Sequence, residues 1–184
     1  ALSVASSMPV RALDLVAAPR AEALEVFVSR GANGIDGTIA TAAGVALVPR
    51  RGANVALLGD LAFRHDIGGL LAARELRAPV VLVVVDNGGG GIFEFLPVAK
   101  VADFERLFLT PQTTDIAALA AGVGVVVHDV NDPAHFRRAL SLAMGSKGPT
   151  VIVARVDRHE NVRRYRDTLA AASEAAIAAN GGRP

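Results

Sequence analysis

The run from Pro79 to Val85 constrains this chain most: after its proline it is Val and Leu throughout, and it stops at Asp86-Asn87. A strand with one face in water alternates apolar and polar residues, and this one does not. It therefore reads as a strand covered on both faces, which is the situation of a central strand in a parallel sheet. Asn54 to Leu58 reads the same way and closes on Gly59-Asp60, and Thr150 to Ala154 is a third such run. Leu2 to Ala5, Glu25 to Val28 and Val123 to Val127 are weaker strand candidates.

Helical stretches lie between them: Ile35 to Val48, Ile67 to Leu76, Asp115 to Ala121, Pro133 to Met144 and Asn161 to Ala179. Asn131-Asp132 before Pro133 is a helix start with proline in its favoured first position, and Gly145 ends that helix. Strand and helix alternating in this way predict an α/β fold: a doubly wound, mainly parallel six-stranded sheet with helices on both faces. At 184 residues the chain is long enough for one domain, residues 1–184, with 180–184 as a flexible tail. It opens at Ala1 directly in a strand-like segment, which is expected of a domain carried within a longer polypeptide.

Composition removes several function classes. A net charge of +1 gives no general case for nucleic acid or an anionic membrane surface. No apolar run is long enough for a membrane span, and the N-terminus lacks the plan of a signal peptide, so the cytoplasm is the expected compartment. There is no cysteine, which excludes disulfides and thiolate chemistry.

In an open α/β sheet, ligands sit beyond the carboxyl ends of the strands. Chemistry is thus expected at Gly59-Asp60 and at Asp86-Asn87 with the four glycines 88–91. A carboxylate and an amide oxygen at neighbouring strand ends suit a hard cation that takes its other ligands from phosphate and water. Glycines let the backbone approach a ligand closely. Each element alone has a plain structural reading, since an Asp at a strand end is often a helix cap.

Gly59-Asp60 followed by Asn87 resembles the signature of thiamine diphosphate (ThDP) enzymes, the superfamily of transketolases, decarboxylases and acetolactate synthases. Three further runs are similar to its menaquinone-biosynthesis synthase (MenD) branch. They are Ser29-Arg30-Gly31-Ala32-Asn33-Gly34-Ile35-Asp36-Gly37, Gly59 to Ala62 with His65-Asp66, and Asn87 to Phe93 with Leu96-Pro97. Thr110-Pro111-Gln112 resembles a further turn of that family. Asp86 and Gly88 depart from it, standing where relatives often carry Asn.

The resemblance implies that Asp60, the Asn87 side chain and the Gly89 carbonyl bind Mg²⁺ or Mn²⁺, which clamps the ThDP diphosphate. It implies diphosphate contacts from Ser7 and from the Leu61 and Ala62 amides at a helix start. Gly34 and Ile35 fall in the cofactor-binding run, with Ile35 as the apolar wedge that bends ThDP, while Ile92 and Phe93 pack at its thiazolium side. Arg11 and Arg30 would hold substrate carboxylates, where a guanidinium fork binds bidentately; pairing with Glu22 or Glu25 is the plain alternative. The implied activity is that of a C–C bond-forming transferase that decarboxylates 2-oxoglutarate and adds the succinic semialdehyde carbanion to isochorismate. The implied partner is a pyrimidine-binding domain of the same enzyme, from another subunit of a homo-oligomer (dimer or tetramer). That domain carries an activating glutamate, so the isolated chain is expected to be inactive.

Three other classes stay open at this level. Another ThDP enzyme, of acetolactate synthase or 2-oxoacid decarboxylase type, would share Gly-Asp and Asn but not the Arg30 run. A dinucleotide-binding module needs G-x-G-x-x-G after its first strand, and none is present. A non-catalytic interaction domain is the third. Among the remaining residues, His65-Asp66 reads as a structural hydrogen bond. His128, His135 and His159 show no metal spacing, and the arginines from Arg155 to Arg166 read as a solvated helix face or a subunit contact.

Overall fold

The computed structural model describes residues 1–29, 34–48 and 52–181. Six strands form one sheet in the order β2-β1-β3-β4-β6-β5, and every neighbouring pair is parallel. They are β1 (Leu2–Val4), β2 (Val26–Val28), β3 (Asn54–Gly59), β4 (Val80–Asp86), β5 (Val126–Val130) and β6 (Pro149–Arg155). The helices are α1 (Met8–Val16), α2 (Thr38–Leu47), α3 (Asp60–His65), α4 (Ile67–Ala73), α5 (Ile116–Gly122), α6 (Pro133–Met144) and α7 (Arg158–Ala179).

β4 is central, as its unbroken apolar run requires. Val80, Leu82 and Val84 point into one core with Ile39, Phe63, Leu70 and Ile116 from α2 to α5. Val81 and Val83 point into a second core with Ala139 and Ala143 of α6. Period-two alternation has sent one strand's side chains into two hydrophobic layers. The chain winds from β1 outward to β2, then returns past β1 to β3 and continues through β4. The gap between β1 and β3 is therefore a topological switch point, where helices diverge and a crevice opens above the carboxyl ends.

Several boundaries differ from the sequence reading. β5 forms at Val126–Val130 rather than Val123–Val127, because the turn of α5 carries on through Val123 and Gly124, with Gly124 at φ 81°. α2 begins at Thr38 rather than Ile35, since Gly37 is left-handed at φ 68°. α7 starts at Arg158 rather than Asn161: the Asp157 carboxylate accepts from Glu160 N at 2.8 Å and caps the helix there. α1 was not expected at all. Pro9 lies in its first turn, where the missing N–H leaves nothing unsatisfied.

Candidate cofactor cleft

The ends of β1, β3 and β4 come together at the switch point and wall a cleft of about 480 Å³. β1 delivers Ser6 and Ser7, β3 delivers Gly59 and Asp60, and β4 delivers Asn87, followed by Gly89 to Phe93. The ladder pairs Gly59 with Val85, so Asp60 and Asn87 follow neighbouring strands at the same edge.

Asp60 opens α3 and is 2% exposed. Its Oδ2 pairs with Arg64 Nη1, one turn on, at 3.1 Å. Burial raises the Asp60 pKa and the nearby Asp86 carboxylate raises it further, while Arg64 and the Leu61 N–H pull it back. The carboxylate is thus short of positive charge, which is the condition in which a bound cation gains most. Among the described residues, Oδ1 of Asn87 is the one buried side-chain nitrogen or oxygen without a hydrogen-bond partner. An orphaned amide oxygen beside an under-neutralised carboxylate fits a hard divalent ion that completes its shell with phosphate oxygens and water.

Three of the four glycines after Asn87 stand where a Cβ would collide. A Cβ on Gly89 would run into the Leu109 carbonyl, one on Gly90 into the Phe108 carbonyl, and one on Gly91 into the Asn87 amide nitrogen. Gly88 and Gly89 also have φ of 82° and 139°, open to glycine and strained for other residues. Gly90 N donates to Leu109 O at 2.7 Å, tying the loop to the π-helical turn Glu105–Leu109, which ends at left-handed Thr110 (φ 46°). The Gly89 carbonyl already accepts from Gly91 N at 2.8 Å, leaving one lone pair for a cation.

Ser7 lies at φ 71° and ψ −137°, an uncommon backbone for a residue other than glycine, and its side chain makes no capping bond to α1. Leu61, Ala62, Ile35, Ile92 and Phe93 line the cleft as well. Phe93 is held edge-to-face by Phe108 at 5.6 Å. Gly34 is not on the wall. Arg11 is exposed on α1 and is not itself a lining residue, but its Nη1 donates to the carbonyl of Ser7, which is one, at 2.7 Å. Arg30 lies outside the described residues.

Sequence reasoning missed Asn161 and Tyr165 of α7, which also line the cleft. Their signal was faint: one tyrosine four residues after an asparagine, in a helix that reads as solvated. The basic stretch needs correcting too. Arg155 ends β6 and binds Asp115 at 2.7 Å, Asp129 at 2.8 Å and Asp86 at 3.3 Å. Arg158 binds Glu94 at 3.0 Å and Glu105 at 2.6 Å. Both are internal ties rather than a solvated face; Arg163 and Arg164 do lie on the exposed face, paired with Glu160. Asp66 has a structural part, its Oδ2 accepting from Ile39 N and Ala40 N at the start of α2. No group of three or more His, Asp or Glu side chains able to hold a metal occurs among the described residues. No helix among them is long and apolar enough to cross a membrane.

A parallel doubly wound sheet with an acid–amide pair and a glycine cradle at the carboxyl ends of two neighbouring strands, beside its switch point, is the arrangement of a phosphate-ligand domain of the α/β class. The family model for the C-terminal TPP binding domain of thiamine pyrophosphate enzymes matches residues 14–154, and the chain belongs to that family. It is 44% identical over 177 residues to the 2-succinyl-5-enolpyruvyl-6-hydroxy-3-cyclohexene-1-carboxylate synthase of Salinibacter ruber, covering 96% of this chain and 29% of that protein. It is 43% identical over 172 residues to the synthase of the same name from Myxococcus xanthus, covering 92% of this chain and 29% of that protein. The chain therefore spans less than a third of these relatives. Among solved structures, a Mycobacterium smegmatis protein assigned as a thiamin diphosphate-dependent enzyme superposes with a TM-score of 0.67 at 26% identity, over 85% of this chain and 28% of that one. Benzoylformate decarboxylase from Polynucleobacter necessarius shares the fold at a TM-score of 0.70 and 22% identity, over 85% of this chain and 30% of that one.

Proposed function

We propose that this chain is the diphosphate- and metal-binding domain of a ThDP-dependent synthase that decarboxylates 2-oxoglutarate and joins the four-carbon remainder to isochorismate. The observation that carries the cofactor part is the unpartnered Asn87 Oδ1 in the same cleft as buried Asp60, with a loop whose Gly89 and Gly90 leave no room for a Cβ. The reaction is supported by the similarity to the two synthases.

Asp60, Asn87 Oδ1 and the free lone pair of the Gly89 carbonyl would hold Mg²⁺ or Mn²⁺, with the Leu61 and Ala62 amides and the Ser7 hydroxyl toward the diphosphate. When bound, ThDP supplies the electron sink for decarboxylation and carbon–carbon bond formation. Ile35, Ile92 and Phe93 keep water from the reacting end. Arg11 and Arg30 are the proposed carboxylate holders, with Arg11 turning from the Ser7 carbonyl to the substrate. An activating glutamate would come from a pyrimidine-binding domain of another subunit in a homo-oligomer, in the cytoplasm. The 184-residue chain alone is then expected to bind cofactor without turning over.

Calorimetric titration of ThDP into the chain, with Mg²⁺ and again with EDTA, tests this. Saturable binding that vanishes with EDTA is expected. Binding indifferent to the divalent ion, or none at millimolar ThDP, would overturn the cofactor assignment, and synthase turnover by the isolated chain would overturn the division between domains.

A further inference from the structure

Of the polar side chains that line the cleft, two are committed within the chain, and Ser7 and Asn87 are assigned to the cofactor above. Ser6 Oγ donates to Ser29 O at 3.1 Å, and Asp60 is paired with Arg64. Asn161 and Tyr165 are different. They stand four residues apart on one face of α7, and both line the cleft. No hydrogen bond among the described residues engages the Asn161 amide or the Tyr165 hydroxyl.

The Tyr165 ring is nevertheless fixed. It meets Phe95 edge-to-face at 5.2 Å and 75°, in the same short helical turn (Gly91–Phe95) that puts Ile92 and Phe93 on the cleft wall. α7 is tied to that turn by the Arg158–Glu94 pair at 3.0 Å and by Arg166, which donates to the Glu94 carbonyl at 3.4 Å. A tyrosine held by its ring leaves its hydroxyl for whatever fills the cleft. In a lining dominated by apolar side chains and backbone, a few such convergent polar groups fix a ligand's orientation.

We infer that Asn161 and Tyr165 are ligand-binding residues, donating hydrogen bonds to an anionic oxygen of the group held in the cleft. The inference rests on the cofactor reading above and extends its site to α7. Both donors are neutral, so they can bind a phosphate or carboxylate oxygen without competing for charge with the cation site. That oxygen has two sources: the cofactor diphosphate and the carboxylate of an oxo acid.

Tyr165 is the only tyrosine in the chain and there is no tryptophan, so tyrosine emission of the 184-residue protein reports this one side chain. Inorganic diphosphate with Mg²⁺, ThDP with Mg²⁺, and 2-oxoglutarate added to ThDP-loaded protein are titrated in turn. Calorimetry and tyrosine emission are followed in parallel. Emission is expected to change with the binding isotherm. A response already complete with Mg²⁺-diphosphate assigns the oxygen to the cofactor, and a response seen only with 2-oxoglutarate assigns it to the substrate.

Tyr165→Phe keeps the ring contact with Phe95 and removes only the hydroxyl. It should weaken binding of the responsible probe by roughly tenfold, the loss for one hydrogen bond to a charged acceptor. Asn161→Ala should do the same, and both variants should keep the wild-type melting temperature and circular dichroism. Binding heat with unchanged tyrosine emission, and wild-type affinity in both variants, would overturn the inference while leaving the cofactor reading intact. Absence of heat with every probe would overturn that reading and this one together.

Discussion

Asp60 and Asp115 lie at the same edge of the sheet, one as the first residue and one as the cap of a short helix, yet their surroundings push them in opposite directions. Burial and the Asp86 charge raise the Asp60 pKa. The Ala118 N–H and the Arg155 guanidinium lower that of Asp115, which caps α5 at 2.7 Å and meets Arg155 at 2.7 Å. Asp115 is satisfied from within the chain, so folding alone accounts for it. Asp60 is buried at a cost that the fold offsets only in part, with a single arginine partner. A carboxylate left short of charge in a cleft is where a bound cation would gain most, whereas a saturated one is accounted for by the scaffold. Residue type does not separate the two; burial does first, and the Asp86 charge second.

The sharpest way to break that contrast is Asp60→Asn. If Asp60 exists to hold a cation, the variant should lose Mg²⁺-dependent ThDP binding by more than 100-fold. Removing one partner of a buried charge pair is worth about 3–5 kcal/mol. The apo chain should be no less stable, and at neutral pH more stable, because the raised-pKa carboxylate is gone. Calorimetry and thermal melting read the two effects separately. A variant that melts lower and binds normally would make Asp60 scaffold like Asp115.

Gly91→Ala sharpens the same comparison from the ligand side. Its Cβ would meet the Asn87 amide nitrogen and displace the side chain whose Oδ1 is unpartnered. Overpacking of this kind costs about 1–3 kcal/mol, so ThDP affinity should fall by roughly 10- to 100-fold. Gly124→Ala is the control: its Cβ has open space but its φ of 81° is strained, so it should lower stability and spare binding. Equal binding losses in both variants would remove the special standing of the Asn87 loop.

How much of this was legible in the sequence follows from what each residue answers to. The central strands were readable because Val80 to Val85 has no alternation to hide its burial. Asp60 and Asn87 were readable because strand ends are where an open sheet binds ligands. The orphaned Oδ1 was not, since satisfaction is a property of three-dimensional neighbours. Asn161 and Tyr165 escaped for the same reason: α7 reads as a charged surface helix, and it takes the ties of Arg158 and Arg166 to Glu94 and the Tyr165–Phe95 ring contact to lay it across the cleft. Arg155 looked like part of a basic helix face, whereas it ends β6 and holds three aspartates. Arg30, the residue on which the substrate reading leans most, lies outside the described residues, and kinetics of Arg30→Lys against Arg30→Ala in the assembled enzyme is its test. The lysine variant should recover only part of a roughly 10- to 100-fold loss in kcat/KM, because it keeps the charge without the fork.

On the scaffold side the effects should be small. Asp129→Asn removes a carboxylate that Arg155 contacts at 2.8 Å, but both partners are over 40% exposed. Exposed pairs contribute about 0.2–1 kcal/mol, so melting should shift slightly and ThDP affinity not at all. A large loss of ThDP affinity would instead mean that the Arg155 cluster reaches the site through Asp86.

The smallest effect, and the one that separates the two aspartates most directly, is the pH dependence of apo stability. Asp115 has a folded pKa below its ordinary 3.8, so its contribution is present above that value and is lost as pH falls through the folded pKa. Asp60 has the opposite sign. Its folded pKa lies above 3.8, so ionisation at neutral pH opposes folding, and that penalty fades as pH falls through the folded pKa toward 3.8. The stability gained by Asp60→Asn should therefore be largest at neutral pH and shrink on acidification, while the stability lost by Asp115→Asn should persist down to about pH 4 and shrink only below it. Denaturant unfolding of both variants and the wild type across that range gives two difference curves. Curves of the same shape would mean that the two carboxylates feel the same environment, and that the contrast between cation site and scaffold does not exist at this edge of the sheet.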